Sequence, residues 1–274
     1  MKTIKKIGFR SVLLVAALAS STAGASIWTV PNNNNASPSL SLTAGSGPSI
    51  VTTSAFYATT NTSTIAAATP ENYSGNLGAT SGGETRSSSP NHALDNQDRI
   101  ETIMFAFSDG VAGTTSADKV NLTNVNIGWS NGDSDFSVYA YTGTGTPSSQ
   151  LNLTNFTYTS LANTTTSGWT LVSQNNASGT GSKAIANSTG VYSSYWLIGA
   201  YNGLAGSGVD SGDDYFKIAS VSGNNCPTSG TIPGGCGSTT TTNNNPEPGT
   251  LLLMGAGLLG LTRINARRVV RSAI

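Results

Sequence analysis

The chain has 274 residues, with 13 Lys and Arg against 13 Asp and Glu, and only 9% of its residues are charged. The balance is uneven: four basic residues precede residue 26 and four follow residue 245, so Ser26 to Asn245 holds five basic and twelve acidic side chains, a net charge of −7. A stretch of that sign repels phosphate backbones and anionic membrane surfaces, which argues against nucleic acid as a partner. Its richness in Ser, Thr, Asn and Gly points to an extracellular β-rich domain rather than a cytosolic enzyme.

Residues 1–25 read as a signal peptide. Lys2, Lys5, Lys6 and Arg10 form its basic region, Val12 to Ala19 its apolar region, and Ala23-Gly24-Ala25 satisfies the small-residue rule of signal peptidase, so the mature chain is expected to begin at Ser26. An uncleaved anchor fits less well, because the apolar region is too short to span a bilayer. Residues 26–237 are expected to form one β-rich ectodomain, long enough to bury a sizeable core. Its first part, to about Pro90, is rich in Asn, Ser and Pro. There Pro31 to Asn35 and Ser81-Gly82-Gly83 act as loop punctuation, and one or two strands lie near Ile50 to Tyr57.

From Ile100 short alternating or apolar runs sharpen. They are Ile103–Phe107, Val125–Trp129, Phe136–Tyr141, Phe156–Tyr158, Trp169–Val172, Tyr195–Tyr201 and Tyr215–Ile218. Six or seven strands separated by Gly, Asn and Asp turns predict an all-β fold, a single antiparallel sandwich or jelly-roll-like domain. No helical period runs between the two ends of the chain.

Candidate chemistry is sparse. The sole histidine, His92, precedes Asp95 and Asp98 and would serve as a base beside one of many serines. The simpler reading makes His92–Arg99 a polar loop leading into the Ile103 strand. No GxSxG, HExxH or paired-carboxylate motif supports catalysis, although glycosidase carboxylates are paired in space and stay open at this level. The expectation is a protein that is not an enzyme.

The acidic turns Asn131-Gly-Asp133-Ser-Asp135 and Asp210-Ser-Gly-Asp213-Asp214 set oxygen ligands at alternating positions, as calcium prefers. Equally, they are turns in which Asp and Asn bond their own backbone. Trp129, Tyr139, Tyr141 and Trp196 are candidates for a polysaccharide surface, with core packing as the competing use of such residues. Cys226 and Cys236 are the two cysteines of the chain, and in an exported protein they are expected to pair. Their spacing matches no zinc pattern.

Residues 238–245, four threonines and three asparagines behind Ser238, read as a flexible stalk. Then come Pro246, Glu247 and Pro248, which hold an extended, protease-accessible backbone, an apolar plug from Leu251 to Leu261, and Arg263, Arg267, Arg268 and Arg271. Eleven to fourteen apolar residues make roughly 17–21 Å of helix, short of the ~30 Å hydrocarbon core. The arginines stay cytoplasmic by the positive-inside tendency. An amphipathic or buried terminal helix is the alternative.

Residues 246–274 resemble the PEP-CTERM sorting signal, the tail by which exosortases of Gram-negative bacteria recognise surface proteins. Two residues depart from its pattern: Asn245 stands where a small apolar residue is usual, and Arg263 ends the apolar run early. The resemblance implies signal peptidase and exosortase as processing partners, membrane attachment through a short helix before processing, and delivery to the cell surface or extracellular matrix. A second resemblance rests on His92–Arg99, Phe105–Ser108, Ile127–Trp129 with Asp133–Val138, and Gly212–Lys217. Together these look like the ectodomain of a family of exosortase-dependent surface proteins, which implies no enzymatic activity and an association with extracellular polysaccharide. The competing expectation is a secreted carbohydrate-binding protein or carbohydrate-active enzyme that carries the same tail.

Overall fold

The computed structural model describes residues 25–37, 39–44, 50–85, 92–108, 119–143, 151–200 and 212–226. The chain divides into Met1–Cys236 and Gly237–Ile274, and every described residue lies in the first unit.

Among the described residues fourteen strands form one continuous antiparallel sheet. Before the sole histidine come β1 (Ala25–Thr29), β2 (Asn34–Ala36), β3 (Leu40–Ala44), β4 (Ile50–Ala58), β5 (Ala66–Tyr73) and β6 (Asn76–Thr80). After it come β7 (Leu94–Asp95), β8 (Ile100–Ser108), β9 (Val120–Ser130), β10 (Phe136–Tyr141), β11 (Trp169–Asn175), β12 (Gly181–Ala184), β13 (Tyr195–Ala200) and β14 (Tyr215–Asn225). One layer runs β11-β10-β13-β8-β4, and the other is built on β14, with β9 along one edge and β1, β6 and β7 in succession along the other.

Two strands turn the corner between the layers. β3 pairs with β4 over Leu40–Leu42 and with β1 over Thr43–Ala44, while β5 pairs with β4 over Ala66–Ala68 and with β6 beyond. Pro70 sits in β5 between the stretch paired with β4 and the Glu71–Tyr73 stretch paired with β2, where its missing amide interrupts neither ladder.

The inner faces bury Trp28, Phe105, Phe107, Phe136, Trp196 and Phe216 in one core. A second core lies on the outer face of the β10–β13–β8 layer, around Phe56, Tyr139, Tyr141, Tyr158, Trp169 and Leu197. β10 feeds Phe136, Val138 and Ala140 into the first core and Tyr139 and Tyr141 into the second, and with Ser137 also buried no residue of the strand is exposed. The outer core is covered by a 3₁₀ turn at Leu153–Asn155 and two one-turn helices, α1 (Tyr158–Leu161) and α2 (Thr164–Ser167).

The strand expected over Phe156–Tyr158 is therefore corrected. Thr157 forms a capping box with Ser160 and starts α1, and Tyr158 turns inward to bond the Ile100 carbonyl (3.1 Å) and the Thr102 hydroxyl (3.1 Å). The other expected runs from Ile103 to Ile218 lie in strands, with Tyr201, the last residue of the Tyr195–Tyr201 run, outside the described residues. The strand expected near Ile50 to Tyr57 is β4, and the Asn- and Ser-rich first part holds five further strands among its described residues, β1–β3, β5 and β6, that no run of apolar residues marks. β5 and β6 carry few large apolar side chains and owe their form to ladders on both sides.

Candidate functional site

The β9–β10 turn and the start of β14 meet in one acidic site. Gly132 takes a left-handed conformation (φ 82°) that tightens the turn, and the Asp133 carbonyl accepts a hydrogen bond from the Tyr215 amide at 3.1 Å. A parallel bridge joins Asp133 to Asp214. Carboxylate oxygens of Asp133, Asp135 and Asp214 lie within 4.8 Å of one another, the last two residues buried and the first half-buried. The two acidic turns thus contribute to a single group.

Backbone and amide donors fix each carboxylate. The Asp135 amide donates to Asp214 Oδ1 (2.6 Å), the Ala177 amide to Asp135 Oδ1 (2.6 Å), and the Ser134 amide to Asp133 Oδ1 (2.8 Å). Asn96 holds Asp214 twice, donating from Nδ2 to Oδ2 (2.7 Å) and accepting the Asp214 amide on Oδ1 (2.7 Å). Three ionised carboxylates at such spacing repel by roughly 3–4 kcal/mol per pair at an effective dielectric near 20. Hard oxygen donors converging on one point suit calcium. Asp213 stands outside the group, its Oδ2 3.5 Å from Gln97 Nε2, and Asp210 lies outside the described residues.

A second acidic group, which the sequence reading missed, lies next to the first through β7. Asp95 pairs with Tyr215 across the β7–β14 ladder, one residue from Asn96 and one from Asp214. Burial, with Glu84 nearby, pushes the Asp95 carboxyl from 3.8 up to about 8. Burial, then the charges of Asp95 and Glu84, raises the fully buried Glu101 well above the usual carboxylate range. Glu84 takes the Ser81 amide (2.8 Å) and hydroxyl (3.0 Å) and meets Arg99 at 3.6 Å. Asp95, at about 8, holds its proton at neutral pH, and Glu101 is shifted in the same direction.

Of the aromatic candidates, Tyr139, Tyr141 and Trp196 belong to the cores. Trp129 is half-buried and faces Lys217, whose Nζ lies 4.4 Å from the Trp129 ring centre and 5.5 Å from that of Tyr73. Burial lowers this lysine from 10.5 to about 8. His92 is buried with its ring 5.0 Å from that of Tyr73, and Asp98 takes a left-handed backbone (φ 59°) in the loop leading to β8. The Cys226 amide donates to the Lys119 carbonyl at 2.9 Å just past the end of β14. Cys236, the stalk, Pro246, Glu247, Pro248 and the Leu251–Leu261 plug lie outside the described residues, as does the signal peptide up to Gly24. Among the described residues no helix is long and apolar enough to cross a membrane.

Residues 246–268 match the PEP-CTERM protein-sorting motif. The chain is thus an exported protein, addressed to an exosortase and passing through the membrane to the cell surface. No curated protein and no solved structure matches the chain.

Proposed function

We propose that residues 26–245, freed of both targeting ends, act as a non-catalytic module of the cell surface or extracellular matrix, associated with polysaccharide and braced by one calcium ion at Asp133, Asp135 and Asp214. The observation that carries the calcium assignment is the convergence of these carboxylates from two loops 79 residues apart, each already oriented by a backbone donor. A cation there ties the β9–β10 turn to β14 in a domain of net charge −7. Export supports the reading, since calcium is plentiful outside the cell, and the Cys226–Cys236 pair adds a covalent staple ahead of the stalk.

Protein extracted from the cell surface provides the test. Mass spectrometry should recover a chain without residues 1–25 and without the segment beyond the Pro246-Glu247-Pro248 region, and free-thiol labelling should be negative before reduction. That protein should sediment with the producing cells' polysaccharide and release no reducing sugar from it. An intact Leu251–Ile274 segment refutes the processing, and steady sugar release refutes the non-catalytic role.

A further inference from the structure

We propose that a small cavity beside β2 and β3 binds one neutral sugar unit of a glycan, an inference that rests on the polysaccharide association above and gives it an address. The cavity holds about 310 Å3, at the small end of ligand pockets, which run from roughly 300 to 1,000 Å3. That volume accommodates a single ring and excludes a bulky multi-ring ligand. Its apolar floor is made by side chains of the inner core such as Leu42 and Leu77, and its walls by Asn33, Asn35, Asn72 and Ser41.

The lining chemistry selects the ligand class. It contains amides and hydroxyls, which both donate and accept as sugar hydroxyls do, and no charged side chain. A carboxylated or sulfated sugar would find no cation in that lining and a domain of like charge around it.

The walls are built rather than accidental. Asn33 and Asn35 line the cavity while Asn34, between them, accepts the Ser74 amide at 2.9 Å, as alternation along β2 requires. Asn72 is 3% exposed and donates from Nδ2 to the Pro31 carbonyl (2.7 Å) and to Asn33 Oδ1 (2.6 Å). Its own Oδ1 accepts no hydrogen bond among the described residues. The groups a ligand hydroxyl can reach are those of Asn33, Asn35 and Ser41, lining residues that are exposed and carry both donors and acceptors.

The test uses the exported protein purified from the cell surface and isothermal titration with hexaoses of glucose, mannose and galactose, alongside a hexuronate oligomer. At least one neutral hexaose should bind and the hexuronate should not. Ser41→Trp, which places bulk at an exposed rim position, should weaken binding at least tenfold with an unchanged unfolding midpoint. Asn35→Ala, also exposed, removes about one hydrogen bond and should weaken binding about threefold to tenfold. If Ser41→Trp does not fold, Asn35→Ala decides alone. Undiminished hexaose binding in the folded variants overturns the cavity while sparing the polysaccharide association, as does co-sedimentation with native polysaccharide when no neutral hexaose binds. Preference for the hexuronate overturns the neutral assignment, and failure to co-sediment overturns the broader reading itself.

Discussion

The two acidic groups that flank β7 handle the same difficulty, carboxylates removed from water, in opposite ways. At Asp133, Asp135 and Asp214 each carboxylate receives at least one N–H donor at 2.6–2.8 Å, and Asp133 keeps contact with solvent. Such an arrangement favours the ionised form and invites a cation. At Asp95 and Glu101 burial dominates and a third carboxylate, Glu84, stands nearby, so the fold keeps protons there instead. Asp95 and Glu101 also receive donors, but there the cost of burial and the neighbouring carboxylate charges outweigh them.

The largest effect is expected for Asp214→Ala. It deprives the Asp135 amide and Asn96 of their acceptor in a buried setting and should cost about 3–5 kcal/mol in urea unfolding. A loss under 1 kcal/mol would make the contrast between the groups one of appearance only.

Next is the pH dependence of the proton-loaded group. Because the folded pKa of Asp95, about 8, exceeds its ordinary 3.8, and Glu101 shifts the same way, the folded state holds protons that the unfolded state releases. Their stabilisation is complete below about pH 4 and is lost as the pH rises through about 8. Glu101→Gln should flatten that decline and raise the unfolding midpoint at pH 8, by about 2–4 °C for each kcal/mol recovered. A decline as steep as in the wild-type protein would remove Glu101 from the account.

Lys217 works in the other direction and more weakly. Its folded pKa of about 8 lies below 10.5, so the penalty of burying its charge is present below pH 8 and is relieved between about 8 and 10.5. Lys217→Met should abolish the gain in stability across that window while leaving the decline at lower pH intact. The smallest effect is expected for Asp213→Asn, which alters a residue outside the triad and should change stability by no more than about 0.5 kcal/mol, with or without calcium.

Legibility in the sequence followed the side chains that do the packing. β8, β10, β13 and β14 carry aromatic and branched residues in runs that only strands bury well, and their positions are readable from the chain. β5, with its Ala-Ala-Ala-Thr-Pro start, has no such pattern and is a strand because β4, β6 and β2 pair with it. Phe156–Tyr158 looks like a strand by composition, yet Thr157 is a helix cap and Tyr158 has a buried partner 58 residues away.

The site divides the same way. The Asp133 and Asp135 turn is a local pattern, whereas its union with Asp214 is set by the β9–β14 ladder, and the Asp95–Glu101 pairing by burial between strands. Pro31 to Asn35, legible as loop punctuation, become cavity wall once Asn72 bonds across to them. Neither union nor cavity leaves a spacing signal in the chain.

The most direct test of the central claim is the thermal unfolding midpoint of the exported protein in EDTA and then in millimolar calcium, with Asp135→Asn measured beside it. A site of micromolar affinity adds roughly 4 kcal/mol at millimolar calcium, which for a domain of this size raises the midpoint by roughly 10 °C. Asp135→Asn should lose most of that rise. A wild-type midpoint that does not move between EDTA and calcium would contradict the account and leave Asp133, Asp135 and Asp214 as hydrogen-bonded turns.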